Sequence, residues 1–230
     1  MQALIKQGTP KLMAFDLDGT LVDSVPDLAN AVNATLADLK LQPHDQNQVR
    51  GWIGNGAQVL IKRALSGDLK GDVPTELFEK VYPSFLTYYA EHLCIDSTVY
   101  SGVKETLQAL QQSGIALACI TNKPSQFTAP LLDKLGLASF FDYVASGDTF
   151  TEKKPHPMPL LNVAEHFSIQ LGESLMVGDS INDIQAAKSA GFKSVCVDYG
   201  YAGEHDIYTM GADAVISQFS QLNGFLQKAA

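Results

Sequence analysis

Two aspartates separated by one leucine, Asp16-Leu17-Asp18, follow the apolar run Leu12-Met13-Ala14-Phe15 and lead into Gly19-Thr20-Leu21-Val22-Asp23-Ser24. Alternate residues of a strand face the same way, so both carboxylates can enter one site from a strand end. Paired carboxylates suit hard-cation binding, nucleophilic attack and proton transfer. An Asp-x-Asp also begins calcium loops, but the positions that need glycine and glutamate there hold Leu21 and Asp27. Three later positions add to the pair. The run from Ile115 to Ile120 ends at Thr121-Asn122, a hydroxyl and an amide able to hold phosphate oxygens. Lys153-Lys154-Pro155-His156-Pro157 supplies a cation, with proline suited to a helix start. Leu175-Met176-Val177 ends at Gly178-Asp179-Ser180-Ile181-Asn182-Asp183, a second acid pair. Each alone is ordinary, since loop Asp and Ser make caps and Lys is usually solvated. Their succession along one chain is not.

These residues need a scaffold that brings them to one edge. Short apolar runs at Leu12–Phe15, Ile115–Ile120, Tyr143–Ala145, Leu175–Val177, Ser194–Val197 and Ala214–Ile216 suit strands buried on both faces. Helical patterns stopped by Gly114, Gly136 and Gly191 separate them. The alternation predicts an α/β core with a doubly wound parallel sheet, whose ligands bind at the carboxyl ends of the strands. From Pro26 to Asp96 only helical patterns occur, so residues 26–96 are expected to form a small helical domain. Residues 1–25 and 97–230 would form the core, with hinges near Leu21–Val25 and Asp96–Gly102. Pro83 is expected to break the last helix of the insert, and Trp52, Tyr82, Tyr88 and Tyr89 to fill its interior.

Composition narrows the function classes. The 230 residues carry a formal charge of −9 and are 46% apolar and 18% charged, a globular balance. No basic run is present, which argues against nucleic acid and against anionic membrane surfaces. No apolar stretch approaches the ~18 residues of a membrane span. The N-terminal segment lacks an apolar signal core, and Cys94, Cys119 and Cys196 are too few and scattered for a disulfide framework. A cytoplasmic setting is the resulting expectation.

The four ordered motifs, Asp16-x-Asp18-x-Thr20, Thr121, Lys154, and Gly178-Asp179 with Asp183, resemble those of the haloacid dehalogenase superfamily of phosphohydrolases. The resemblance implies a Rossmann-like core with a small helical cap inserted after the first strand. It implies Asp16 as nucleophile and Asp18 as general acid and base. Thr121 and Lys154 would hold the transferring phosphoryl group. Mg²⁺ would be bound by Asp16, Asp179, the backbone carbonyl of Asp18, and Asp183 directly or through water. Four carboxylates against Mg²⁺ and one lysine leave the site one negative charge before a phosphate arrives. Thr20, Asn122 and Ser180 are weaker candidates for substrate positioning, local turn hydrogen bonds being the alternative.

Within the superfamily, Arg50-Gly51-Trp52-Ile53-Gly54-Asn55-Gly56-Ala57 and Glu152–Pro157 are most similar to the bacterial phosphoglycolate phosphatases. That likeness implies 2-phosphoglycolate as substrate, with another small phosphate ester, such as a sugar phosphate handled by a phosphatase or phosphomutase, as the alternative. The absence of histidine between Asp16 and His44 weakens the mutase reading. Arg50 is a candidate partner for a substrate carboxylate, and Asn55 and Gly56 for further cap contacts. The expected partner is a small phosphorylated metabolite, and the expected state a monomer or homodimer. A non-catalytic module switched by phosphorylation of Asp16 is the reading from another class. Asp18 argues against it, because a neighbouring base hydrolyses such a phosphate.

Overall fold

The computed structural model describes residues 1–6 and 8–228. A short helix α1 (Gln2–Ile5) precedes β1 (Leu12–Phe15), and β2 (Val22–Asp23) follows the acid pair. Four helices come next: α2 (Val25–Asp38), α3 (Gln46–Arg50), α4 (Ala57–Ser66) and α5 (Thr75–Glu91). The chain returns through β3 (Thr98–Val99) to α6 (Val103–Gln112), β4 (Ala116–Ile120), α7 (Ser125–Lys134) and β5 (Tyr143–Ala145). It continues with α8 (Met158–His166), β6 (Ser174–Gly178), α9 (Ile181–Ala190), β7 (Lys193–Val197) and β8 (Ala214–Ile216), and a 3₁₀ helix (Phe219–Lys228) follows. All six strands expected from the apolar runs are present.

Those six strands form one parallel sheet in the order β5-β4-β1-β6-β7-β8. β1 is therefore central, and the chain order reverses beside it. The crevice at such a reversal, beyond the carboxyl ends of the strands, is where a ligand fits in an open α/β sheet. Phe15 pairs with Cys119 on one side and Val177 on the other. One residue further along, Asp16, Ile120 and Gly178 are level, so Asp16 to Asp18, Thr121 to Lys123 and Asp179 leave the sheet side by side. Alternation along β1 sends Leu12 and Ala14 to one core layer and Met13 and Phe15 to the other.

The helical cap shares the second of these layers. Leu28, Val32, Trp52, Leu60, Phe85 and Tyr89 belong to the same continuous apolar cluster as Phe15 and Phe127. Stacked aromatic pairs line α5, and Tyr89 meets Phe127 of α7 edge-on at 4.7 Å. The helix runs through Pro83, contrary to the expected break. Pro83 and Glu79 are both exposed, so water replaces the missing hydrogen bond to the Glu79 carbonyl while the apolar face stays packed.

The links between insert and core are β2 and β3, an antiparallel pair two residues long that sequence patterning does not reveal. The buried Asp27 of α2 fastens the returning chain. Its carboxylate accepts from the backbone amides of Ile95, Asp96 and Ser97 and from the Ser97 hydroxyl. Replacing Asp27 by Ala leaves three amides without partners. The expected loss is about 3 kcal/mol of unfolding free energy, measured by urea titration.

Candidate active site

Asp16 leaves β1 buried, with Oδ1 2.9 Å from Lys154 Nζ. That oxygen has no other hydrogen-bond partner among the described residues. Lys154, itself buried, also donates to Asp183 Oδ1 at 2.7 Å and to the Ile120 carbonyl. Asp183 Oδ2 accepts from the amides of Asp179 and Ser180 and from the Ser180 hydroxyl, which ties the start of α9 to the end of β6. Asp179 accepts from Thr20 Oγ1 at 2.8 Å and from the Tyr201 amide at 2.7 Å. The close approach beneath it requires Gly19, at φ +89°, since a Cβ there would run into the Asp179 carboxylate.

Oxygens of Asp16, Asp179 and Asp183 all lie within 4.8 Å of one another. Burial raises the Asp16 carboxyl to about 6, and the Lys154 charge only partly offsets this. Asp179 is also raised well above the usual carboxylate range, by burial and then by Asp16 and Asp183. Lys154 moves upward because its two carboxylate partners outweigh its desolvation. A hydrogen-bond-poor carboxylate oxygen among buried acids, with oxygen donors only, fits a hard divalent cation. The carboxylate of Asp18 is not in this group. It accepts from Ser24 Oγ at 2.6 Å and from Lys123 Nζ at 3.1 and 3.2 Å, which leaves its backbone carbonyl as the metal donor it can offer.

Asp16, Asp18 and Thr121 line one cavity together with Gly54, Gly56 and Ala57 of the cap. Gly56, at φ +89°, lets the start of α4 approach the Asn122 carbonyl, where a Cβ would stand 3.0 Å from it. The cavity is about 30 Å³, room for roughly a water molecule or two.

Several expected positioning residues are engaged with protein groups. Thr20 and Ser180 support Asp179 and Asp183. Asn122 Nδ2 bridges the carbonyls of Gly54 and Lys154, and Asn182 Nδ2 also reaches the Gly54 carbonyl. Asn55 is part of the same seam, its carbonyl accepting from Lys153 and its amide meeting Asn182. These contacts hold the cap against the core. Arg50 is not brought to the cavity. Its guanidinium lies 3.6 Å from Asp23 and 5.0 Å over the Tyr201 ring, because α3 ends facing the hinge.

The sequence reading misses Lys123 and the site-facing role of Tyr89. Lys123 is buried, lies over the Tyr89 ring and donates to its hydroxyl at 2.7 Å. Its place in the same strand-end turn as Thr121 was the available signal. Lys123 also corrects the charge count, since with all four carboxylates ionised a second buried lysine brings the site with Mg²⁺ to neutrality.

Residues 13–197 match the haloacid dehalogenase-like hydrolase family. A phosphoglycolate phosphatase of Nitrosococcus oceani is 44% identical over 227 residues, covering 99% of this chain and all of that protein. One from Pseudomonas syringae pv. tomato is 49% identical over 193 residues, covering 84% of this chain and 71% of its own length. The crystal structure of a predicted phosphoglycolate phosphatase from Haemophilus somnus superposes with a TM-score of 0.89 at 40% identity, covering 94% of this chain and 98% of that one.

The raised Asp16 carboxyl gives a signed pH dependence. The folded state holds this proton more tightly than the unfolded chain, whose carboxyl titrates near 3.8. Its contribution to stability is complete below that value and is lost as pH rises through about 6. In chelator, the unfolding free energy should therefore fall across this window, and Asp16→Asn should flatten the fall. Thermal unfolding of both proteins from pH 4 to 7 checks this, and Mg²⁺ should raise Tm more at pH 7 than at pH 5.

Proposed function

The chain belongs to the haloacid dehalogenase-like hydrolase family, and from that premise we propose that it hydrolyses 2-phosphoglycolate to glycolate and phosphate through an aspartyl-phosphate on Asp16. The observation that carries the reading is the cavity shared by Asp16, Asp18 and Thr121, with Lys154 2.9 Å from Asp16. The choice of ester rests on relatives of that name matching nearly the whole chain.

Asp16 attacks phosphorus, and the bond from phosphorus to the glycolate oxygen breaks. Asp18 enters this half protonated, carrying the proton it takes in the second half of each turnover, and gives it to that oxygen. In the second half Asp18 takes a proton from water, the water oxygen bonds to phosphorus, and the Asp16 oxygen leaves. A carboxylate nucleophile needs no base of its own at neutral pH, so Asp18 is free for both proton transfers. Thr121 donates to the phosphoryl oxygens, and Lys154 neutralises them while holding Asp16 in place. Asp16, Asp179, Asp183 and the Asp18 carbonyl would hold Mg²⁺, which supplies positive charge against the phosphoryl oxygens. Asp183 also fixes Lys154 and the Asp179 backbone through hydrogen bonds to both of its oxygens.

The small cavity means that substrate enters only when the cap lifts, with β2 and β3 as the hinge. Reclosure excludes water from the first transfer. A cytoplasmic setting and reduced thiols belong to this proposal. Burial pushes the Cys196 thiol up to about 12 and Cys119 higher still, which keeps both unreactive.

Phosphate release from 2-phosphoglycolate should require Mg²⁺ and stop with chelator. Asp18→Asn should lower kcat by about 10²- to 10⁴-fold, the usual contribution of a general acid. Wild-type activity in that variant, or release unaffected by chelator, contradicts the mechanism.

A further inference from the structure

Among the described residues lining the cavity, Lys123 alone carries a positive charge. Leu28, Ile53, Leu60 and Phe127 form an apolar part of the same wall, opposite in character to Asp16, Asp18 and Thr121. Lys154 faces the opposite way, toward Asp16, Asp183 and the Ile120 carbonyl. Lys123 is 5% exposed, and its ammonium has three donors. One side of it meets both oxygens of Asp18, and another N–H goes to the Tyr89 hydroxyl. All three donors are thus engaged by Asp18 and Tyr89, and an incoming carboxylate would compete with one of the two Asp18 oxygens for its donor. Tyr89 accepts from Lys123, and among the described residues nothing accepts from its own O–H. Burial pushes that phenol up to about 12, so it remains a donor at neutral pH.

We propose that Lys123, with the Tyr89 hydroxyl beside it, is the specificity pair that recognises the carboxylate of the substrate. The proposal rests on the reading of 2-phosphoglycolate as substrate and names the group that selects it. Chemistry fixes the place. In this ester one methylene separates the leaving oxygen from the carboxylate carbon, so the two groups lie about two bonds of 1.5 Å apart. The acid that protonates the leaving oxygen must touch it, and a cation serving the carboxylate must then adjoin that acid. Lys123, 3.1 Å from Asp18, meets the condition, whereas Arg50 is turned to Asp23 at the hinge. The start of α4, with Gly56 and Ala57 in the same wall, adds amides that favour an anion. Tyr89 belongs to the cap and Lys123 to the core, so the pair is complete only when the cap is closed. The substrate that fills it thereby favours closure.

The test compares 2-phosphoglycolate with ethyl phosphate, which keeps the ester and lacks the carboxylate. Wild-type protein should have the higher kcat/KM on 2-phosphoglycolate. Lys123→Met should reduce that preference by on the order of 100-fold, chiefly through KM, the loss expected for a buried charged hydrogen bond. Tyr89→Phe should reduce it in the same direction by a smaller factor. A merely structural lysine would lower both substrates equally and leave the ratio unmoved, which overturns the proposal. If circular dichroism shows Lys123→Met unfolded, Tyr89→Phe decides, an unchanged ratio overturning the proposal. Wild-type protein that prefers ethyl phosphate overturns the substrate reading itself, a failure distinct from equal losses in the variants.

Discussion

Three buried carboxylates, two at the ends of adjacent strands and one in the first turn of α9, are the constraint around which the rest of the molecule is arranged. Such a cluster opposes folding unless cations and oriented donors offset it. Lys154 answers Asp16 and Asp183, and Lys123 answers Asp18. Backbone amides near the end of β6 and from the Tyr201 turn answer Asp183 and Asp179. What remains uncompensated lies on Asp16 and Asp179, whose raised carboxyls mark where added positive charge is favourable. The sheet makes this arrangement possible. Parallel strands in register place Asp16 level with Gly178, so acids distant in the chain emerge together.

The cap depends on the same loops. Tyr201 gives its amide to Asp179, while its hydroxyl accepts from the amide of Ser24 and donates to Asp23 at the hinge. Arg50 stacks on that ring and pairs with Asp23. The Gly54 carbonyl takes hydrogen bonds from Asn122 beside Thr121 and from Asn182 beside Asp183. The seam between cap and core is thus built from polar groups on either side of the reacting carboxylates. The apolar layer shared behind it, with Tyr89 against Phe127, holds the cap to the core as well.

Much of this was legible in the sequence, for physical reasons that differ by element. The strands show as short apolar runs because a parallel sheet is buried on both faces. The acids show because each ends such a run. β2 and β3 do not show, since two residues carry no periodicity. Pro83 misleads because a helix held by an apolar face tolerates a proline on its wet side. Arg50 misleads because residue type does not tell which way a short helix faces. Lys123 escapes because a lysine reads as solvated, and only the fold shows it buried between Asp18 and Tyr89.

The central claim is that Asp16, poised by its neighbours, carries the phosphoryl group in turnover. Borohydride added during steady hydrolysis of 2-phosphoglycolate reduces an aspartyl-phosphate to homoserine, which peptide mass spectrometry locates. The account predicts homoserine at position 16 while phosphate is being released, and none when chelator is present. Homoserine at another aspartate, or none at position 16 while phosphate is being released, would contradict it.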